Sequence, residues 1–462
     1  MIVMKFGGTS VQDAAAINRA AKIVAGRSGR SPIVVVSAMA RVTDTLVRLA
    51  GAAKERRFDE AVSDLEVLRI RHTATARELL RESPDPPHIL GTVTHEIETR
   101  FCELENLVRS ISTLGELTAR TQDAVVSFGE LLSSVIIAAA FRHRGIDTEL
   151  VDSRRFIITD DNFTRATPDP KEIARRTREV ILPIVQSGRV PIAQGFIGST
   201  LEGVPTTIGR GGSDYTAALI GAGLEVEAIE IWTDVDGLMT TDPRVVPDAK
   251  RIRVISFSEA SELSYFGARV LHPSTVLPAV EKGIPVHIYN THNASCEGTL
   301  IVAKPPPSSA LIKSIAFKRG VTIVNVTSTR MLLAYGFLRA IFEVFDRHQT
   351  SVDVVTTSEV SVSMTLDNTD RLEAIKRDLS GIGEVIVERE KAIVCVVGDN
   401  LKFTSGVAAR LFQAIESTNV NMISQGASEI NLTFVIDESE VDRVVRLLHD
   451  KFFADVDEAV FA

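Results

Sequence analysis

Ile2-Val3-Met4-Lys5-Phe6-Gly7-Gly8-Thr9-Ser10-Val11 is the stretch from which the fold of this chain is read: an apolar run that carries a lysine near its end and runs into two consecutive glycines. A run of that length and composition reads as a buried strand. Consecutive glycines let backbone N–H groups converge on an anion, and a helix starting just beyond adds the positive end of its dipole. Lys5, at the end of the strand, can reach a phosphate as a point charge. An ordinary strand-to-helix turn with a surface lysine carries the same residues, so this stretch sets the architecture and leaves the chemistry open.

Outward from it, residues 1 to about 300 alternate short β-branched runs with longer helical patterns. That alternation belongs to an α/β fold whose mostly parallel sheet is covered by helices on both faces. Further strands are expected at 33–37, 125–127, 190–194, 228–233 and 286–289, and helices at 13–25 and 130–142. Residues 44–120 read as a charge-rich, mostly helical insert, a scaffold or an oligomer surface, broken at Ser83-Pro84-Asp85-Pro86-Pro87 because prolines forbid a continuous helix.

Lys304-Pro305-Pro306-Pro307-Ser308-Ser309 is the clearest linker, since consecutive prolines favour an extended segment without backbone donors. Beyond it a shift of 70 residues lays Gly336-Phe337-Leu338-Arg339-Ala340-Ile341-Phe342 on Gly406-Val407-Ala408-Ala409-Arg410-Leu411-Phe412, and Asp367 on Asp437. Each repeat reads as a βαββα unit. The expected plan is a domain at 1–302, a Pro-rich linker at 303–310, and two ferredoxin-like modules at 311–385 and 386–462, with strand exchange between the modules left open. Two such modules would share one sheet; a platform for dimerisation is the plain alternative.

At 462 residues, and roughly 150 residues per domain, the chain has room for about three domains. Its net charge of −9 makes an extended nucleic-acid surface unsuitable, while a small anion in a local basic pocket fits. Three scattered cysteines, Cys102, Cys296 and Cys395, form neither a disulfide framework nor a zinc motif, which suits a reducing cytoplasm. The longest uninterrupted apolar run, 135–141, is short for a membrane span, and the N-terminus lacks the pattern of a secretion signal. No nucleic-acid or membrane partner is expected.

The chemistry concentrates in glycine turns at strand ends. There is no P-loop, no metalloprotease, hydrolase or protein-kinase signature, and Asp234-Val235-Asp236-Gly237 fails as a calcium loop because Leu238 stands where an oxygen ligand is needed. Gly209-Arg210-Gly211-Gly212-Ser213-Asp214 precedes an apolar helix and sets a guanidinium, suited to bidentate binding of carboxylate or phosphate, within a nest of backbone donors. Ser213 and Asp214 also fit helix caps. Ser127-Phe128-Gly129-Glu130 fits a capping box, and Thr43-Asp44 the start of a helix. Trp232-Thr233-Asp234 ends another strand, with Thr240-Thr241-Asp242-Pro243-Arg244 beyond. Ligands of open parallel sheets sit at the carboxyl ends of strands, so Lys5, Ser37, Gly195 and Asp234 could share one crevice that positions phosphates.

On these motifs, with Gln194-Gly195-Phe196-Ile197-Gly198 and Phe266-Gly267-Ala268-Arg269-Val270-Leu271-His272-Pro273 in the same order, the chain resembles the monofunctional aspartokinases of the amino-acid kinase superfamily over essentially its whole length. The resemblance implies an amino-acid kinase domain followed by two ACT modules, and transfer of the ATP γ-phosphoryl group, with Mg²⁺ carried by ATP rather than by protein side chains, to the side-chain carboxylate of L-aspartate. It implies catalytic roles for Lys5, Arg210 and Asp214, with Thr43, Glu130, Arg210, Ser213 and Asp214 around aspartate. Lys5, Gly7, Gly8, Thr233, Asp234, Met239, Arg244 and Arg269 would serve ATP. Met239 stands where the family often has tyrosine, and Arg269 where lysine is common. Glutamate or acetylglutamate kinases share the fold, and a catalytically silent amino-acid sensor is a further alternative.

The repeat resembles tandem ACT modules that bind an effector amino acid, and Ser351-Val352-Asp353-Val354-Val355-Thr356-Thr357-Ser358-Glu359 resembles the lysine-sensitive branch. Met331, Gly336, Phe337, Leu338, Ser351, Val352 and Asp353 match its effector positions, whereas Leu333 and Ala334 replace its usual histidine and serine. Aspartate is disfavoured in a β-branched run, so Asp353 reads as an ammonium partner, or else as a solvated strand-edge carboxylate. The resemblance also implies a homodimer or larger homo-oligomer.

Overall fold

A computed structural model describes the chain apart from residues 82–85, 268–274, 309 and 332–334. It divides into two compact units, the first holding Met1–Leu238, Val254–Phe257 and Val270–Pro305, the second Met239–Arg253, Ser258–Arg269 and Pro306–Ala462.

The first unit is built on an eight-stranded sheet, in the spatial order β3-β4-β2-β1-β7-β9-β10-β8. The strands are β1 (Ile2–Phe6), β2 (Pro32–Val36), β3 (Thr148–Val151), β4 (Val190–Gln194), β7 (Ala228–Thr233), β8 (Val254–Ser256), β9 (Val286–Asn290) and β10 (Thr299–Val302), while β5 (Ile197–Ser199) and β6 (Pro205–Thr207) form a separate hairpin. All neighbours pair in parallel except β9 and β10. β1 is central and buried along its whole length, as its apolar residues Ile2, Val3, Met4 and Phe6 require when both faces are covered, with Lys5 the one polar member. Phe6 aligns with Val36 and Trp232, and the Ser37, Gly195 and Gly7 N–H groups bond to Phe6, Val36 and Trp232 carbonyls. The carboxyl ends of β1, β2, β4 and β7 therefore form one edge, as the strand-end motifs led us to expect.

The insert is helical, in segments Val42–Lys54, Phe58–Leu80 and Pro86–Leu114. Leu65, Leu68, Ile97, Phe101 and Leu104 join Met4, Phe6 and Val34 of the sheet in one core, which makes the insert scaffold on one face of the unit. Two local expectations fail. Residues 125–127 are not a strand: Val125 and Val126 close the helix Ala119–Val126, which Thr118 caps by accepting from the Thr121 N–H. A three-residue apolar run has no period, and an adjacent cap decided its state. Nor does Ser127 form a capping box, because its hydroxyl donates back to the Ala124 carbonyl and the Glu130 side chain turns to another loop. The stretch Ala119–His143 is long and apolar enough to cross a membrane, yet 94% of its apolar window is buried inside the protein.

The second unit carries a six-stranded antiparallel sheet, ordered β12-β13-β11-β14-β16-β15. Its strands are β11 (Ile312–Thr327), β12 (Val355–Thr357), β13 (Ser361–Leu366), β14 (Glu384–Gly398), β15 (Met422–Gln425) and β16 (Asn431–Asp437). The 70-residue repeat is visible directly: Gly336 and Gly406, at φ 80° and 78°, both precede helices, and β13 superposes in sequence on β16. Only glycine takes that backbone conformation cheaply, which is why it marks both repeats. β11 and β14 each serve both modules, since residues 312–318 of β11 pair with 393–398 of β14, and 321–327 with 384–391, across irregularities near Lys318 and Val321. Two stretches read from sequence as part of the first domain pack in this unit. Thr240 and Thr241 exchange hydrogen bonds with Ile315, and Asn431 donates to Glu262.

Candidate functional site

A cleft of about 320 Å³ opens at the carboxyl edge of the first unit's sheet. Its floor is Lys5, whose Nζ lies 2.6 Å from Asp214, with both side chains only about a tenth exposed. Asp214 stands in the first turn of the helix Gly212–Leu224. It does not cap that helix, and neither does Ser213: the N-cap is Gly211 at φ 74°, without a side-chain bond. The loop reaches this position only because of its glycines. A Cβ on Gly195 would come within 2.5 Å of Ser213, and one on Gly212 within 2.8 Å of the Phe196 ring. Side chains at those points would force the loops apart and move Asp214 off Lys5.

Glu130 enters the same cleft from the helix Phe128–His143. One carboxylate oxygen accepts from the Ala38 N–H at 3.0 Å; the other is buried with no hydrogen-bond partner among the described residues. Burial pushes its pKa up to about 8, against a smaller downward pull from the Ala38 N–H. The folded, ligand-free protein thus keeps a proton that the unfolded chain releases near 4.5, and stability must fall as pH rises through that window, levelling off above it. Relative to Glu130→Gln, which has no proton to lose, the wild-type melting temperature is expected to decline between about pH 4.5 and 8. Parallel melting curves of the two proteins across that range would overturn the assignment.

Arg210 lies between Gly209 and Gly211, at φ 76° and 74°, is exposed at the mouth of the cleft, and makes no ion pair or hydrogen bond among the described residues. Thr43 and Ser213 also line the cleft. Near Lys5, Gly7 donates its N–H to the Trp232 carbonyl, while Thr233 ends β7 with its hydroxyl 3.2 Å from the exposed Asp234. The structure thus gathers Lys5, Gly8, Thr43, Glu130, Arg210, Ser213 and Asp214 in one cleft, with Gly7, Thr233 and Asp234 at the same sheet edge. Met239 and Arg244 belong to the second unit, where Arg244 is bound to Asp242 at 2.6 Å. Arg269 lies outside the described residues.

One residue of consequence escaped sequence reading. Asp123, 1% exposed, accepts from the Thr164 and Thr207 N–H groups at 2.9 Å and from the Thr207 hydroxyl at 2.7 Å. It fastens the end of β6, two residues before Gly209, to the helix that runs on toward Glu130. Burial raises its pKa and these three donors lower it. The only sequence signal was a carboxylate directly before the apolar Ala124-Val125-Val126.

The effector positions lie in the second unit. Met331, Phe337 and Val352 pack against the core of the first module, Gly336 starts its helix, and Leu338 and Ser351 are exposed. Asp353 precedes β12 and is no solvated strand-edge group, for its side chain is 3% exposed and bound to Lys318 and Tyr265. Leu333 and Ala334 lie outside the described residues.

Residues 1–290, which carry this sheet edge and its cleft, match the amino acid kinase family, and residues 394–452 match the ACT domain. The chain belongs to the aspartokinase family. It is 39% identical to the lysine-sensitive aspartokinase 3 of Escherichia coli, covering 98% of this chain and 99% of that protein, and 36% identical to the chloroplastic aspartokinase 2 of Arabidopsis thaliana, covering 98% and 84%. Among solved structures, E. coli aspartokinase III in complex with aspartate and ADP superposes with a TM-score of 0.83 at 38% identity, over 98% of this chain and 100% of that one. The same enzyme with lysine and aspartate gives 0.82 at 38% identity, over 98% and 99%.

Proposed function

We infer that this aspartokinase performs its reaction, transfer of the ATP γ-phosphoryl group to the side-chain carboxylate of L-aspartate, in the cleft formed by Lys5, Glu130 and the 209–214 loop. The observation that carries the reading is the pairing of two unsatisfied polar groups, the buried Glu130 carboxyl oxygen and the Arg210 guanidinium, in a cleft floored by a lysine. An amino acid offers an ammonium to the first and an α-carboxylate to the second, leaving its side-chain carboxylate toward Lys5. Thr43 and Ser213 add hydroxyl donors, and Asp214 shares the ammonium while holding Lys5 in place.

The attacking carboxylate is already ionised at neutral pH, so no general base is needed. Its oxygen forms a bond to the γ-phosphorus as the bond to the β-phosphate oxygen breaks, giving 4-phospho-L-aspartate and ADP. Lys5 counters charge on the transferring group, and the backbone amide of Gly8, in the same cleft, faces the phosphates, while Gly7 lets the turn pass close to them. Thr233, Asp234, Met239, Arg244 and Arg269 are the proposed nucleotide contacts. A lysine, glycine amides and few free carboxylates suit a metal-complexed polyphosphate, and Mg²⁺ bound to ATP supplies further neutralisation of phosphate charge.

In this reading residues 1–302 hold the catalytic machinery and the ACT modules sense an effector, lysine, through Met331, Gly336, Phe337, Leu338, Ser351, Val352 and Asp353. The protein works as a homo-oligomer in the cytoplasm, where its unbonded cysteines suit reducing conditions. Purified protein with Mg-ATP, aspartate and hydroxylamine should yield aspartyl hydroxamate, and glutamate in place of aspartate should yield almost none. Absence of hydroxamate from aspartate overturns the reading; equal yield from glutamate reassigns the substrate.

A further inference from the structure

Asp353 carries a buried negative charge, and two groups of this chain answer it. The Tyr265 hydroxyl donates to one carboxylate oxygen at 2.7 Å, and the Lys318 ammonium lies 3.1 Å from the other. Lys318 is also 2.7 Å from Asp367 and 5.6 Å from the centre of the Tyr265 ring. Without an effector, then, the carboxylate proposed to hold the ligand's ammonium already holds an ammonium, and it is a lysine's.

We propose that Lys318 is a built-in competitor for the effector: its side chain occupies Asp353 in the unliganded state, and a free amino acid ending in an ammonium binds by displacing it. The inference rests on the effector reading of Asp353 given above. The geometry makes the exchange practicable. Lys318 sits at an irregularity in the β11–β14 ladder, on a flexible four-carbon stem. Asp367, its second partner, is 43% exposed, so a displaced Lys318 keeps a carboxylate at the water boundary and no charge is stranded. Asp353, at 3% exposed, cannot lose its cation to water in the same way, and an incoming ammonium must replace one already there.

Two consequences follow. The effector's apparent affinity is reduced by the fraction of molecules in which Asp353 is free, which sets inhibition at a higher ligand concentration than the contacts alone would give. Selectivity also sharpens, because an amino acid such as threonine, whose one cation is its α-ammonium, brings no side-chain ammonium to take the place of Lys318.

Titration calorimetry of L-lysine into the full chain, with inhibition normalised to each variant's own rate without lysine, tests the proposal. Lys318→Met, which keeps the stem, and Lys318→Gln, which keeps a neutral donor, should each bind lysine about tenfold more tightly and be inhibited at correspondingly lower concentration. Either variant suffices if the other fails to fold. Asp353→Asn should lose lysine binding. Unchanged or weaker binding by the Lys318 variants, with binding lost in Asp353→Asn, overturns the competitor and assigns Lys318 to the ligand's own carboxylate or to the fold. Wild-type affinity in Asp353→Asn overturns the effector reading itself, and the competitor with it.

Discussion

Lys5→Ala is expected to lower turnover by roughly a thousandfold or more while the protein still melts cooperatively, because one preorganised cation facing the transferring phosphoryl group is worth that much in a partly enclosed site. The side chain can be removed without dissolving the fold. β1 is held by its backbone pairing to β2 and β7 and by the packing of Ile2, Met4 and Phe6, none of which uses the ammonium. Asp214, left without its 2.6 Å partner, borders the open cleft and can be hydrated from it. Aspartate should still bind, since its proposed partners are Glu130 and Arg210, so the loss belongs in kcat and not in the aspartate KM. Lys5→Arg should restore little: the ammonium sits 2.6 Å from Asp214 in a nearly buried position, and a planar guanidinium does not reproduce the placement of a compact point charge. Steady-state rates beside circular dichroism check this, and near wild-type phosphorylation by folded Lys5→Ala would sink the assignment.

What sequence could reveal was governed by range. Strand β1, the glycine loops and the 70-residue repeat were legible because each is encoded locally, by an apolar run, by residues tolerant of left-handed backbone, or by self-similarity. The helix ending at Val126 was misread because three apolar residues carry no period, and Thr118, outside them, decided the outcome. Glu130 looked like a cap because its spacing from Ser127 is right. Tertiary structure overrode the local motif by offering the Ala38 N–H, on a loop 92 residues away in sequence. The same reason hid Asp123, whose donors lie 41 and 84 residues on, and the Tyr265–Asp353–Lys318 cluster, whose members are 35 to 88 residues apart. The resemblance named Asp353; only the fold shows the internal lysine that already occupies it.

Arg210→Ala makes the contrasting case, a defect in binding with chemistry spared. The guanidinium lies at the cleft mouth between two glycines in left-handed conformation and has no internal partner among the described residues, so truncation takes nothing from the folded state and the melting temperature should stay within a degree or two of wild type. What is lost is a planar fork able to bind the aspartate α-carboxylate through two charge-assisted hydrogen bonds. At about 1.5 to 3 kcal/mol for a hydrogen bond to a charged group, the two together predict an aspartate KM higher by roughly a hundredfold or more. The ATP KM should barely move, since the proposed phosphate contacts are Lys5 and the Gly8 amide. Arg210→Lys should recover part of the loss, because a point charge replaces the charge but not the fork. Steady-state kinetics with each substrate varied in turn separates these effects, and an aspartate KM unchanged in Arg210→Ala would remove the guanidinium from the substrate site and leave the buried Glu130 oxygen as the remaining anchor for the amino acid.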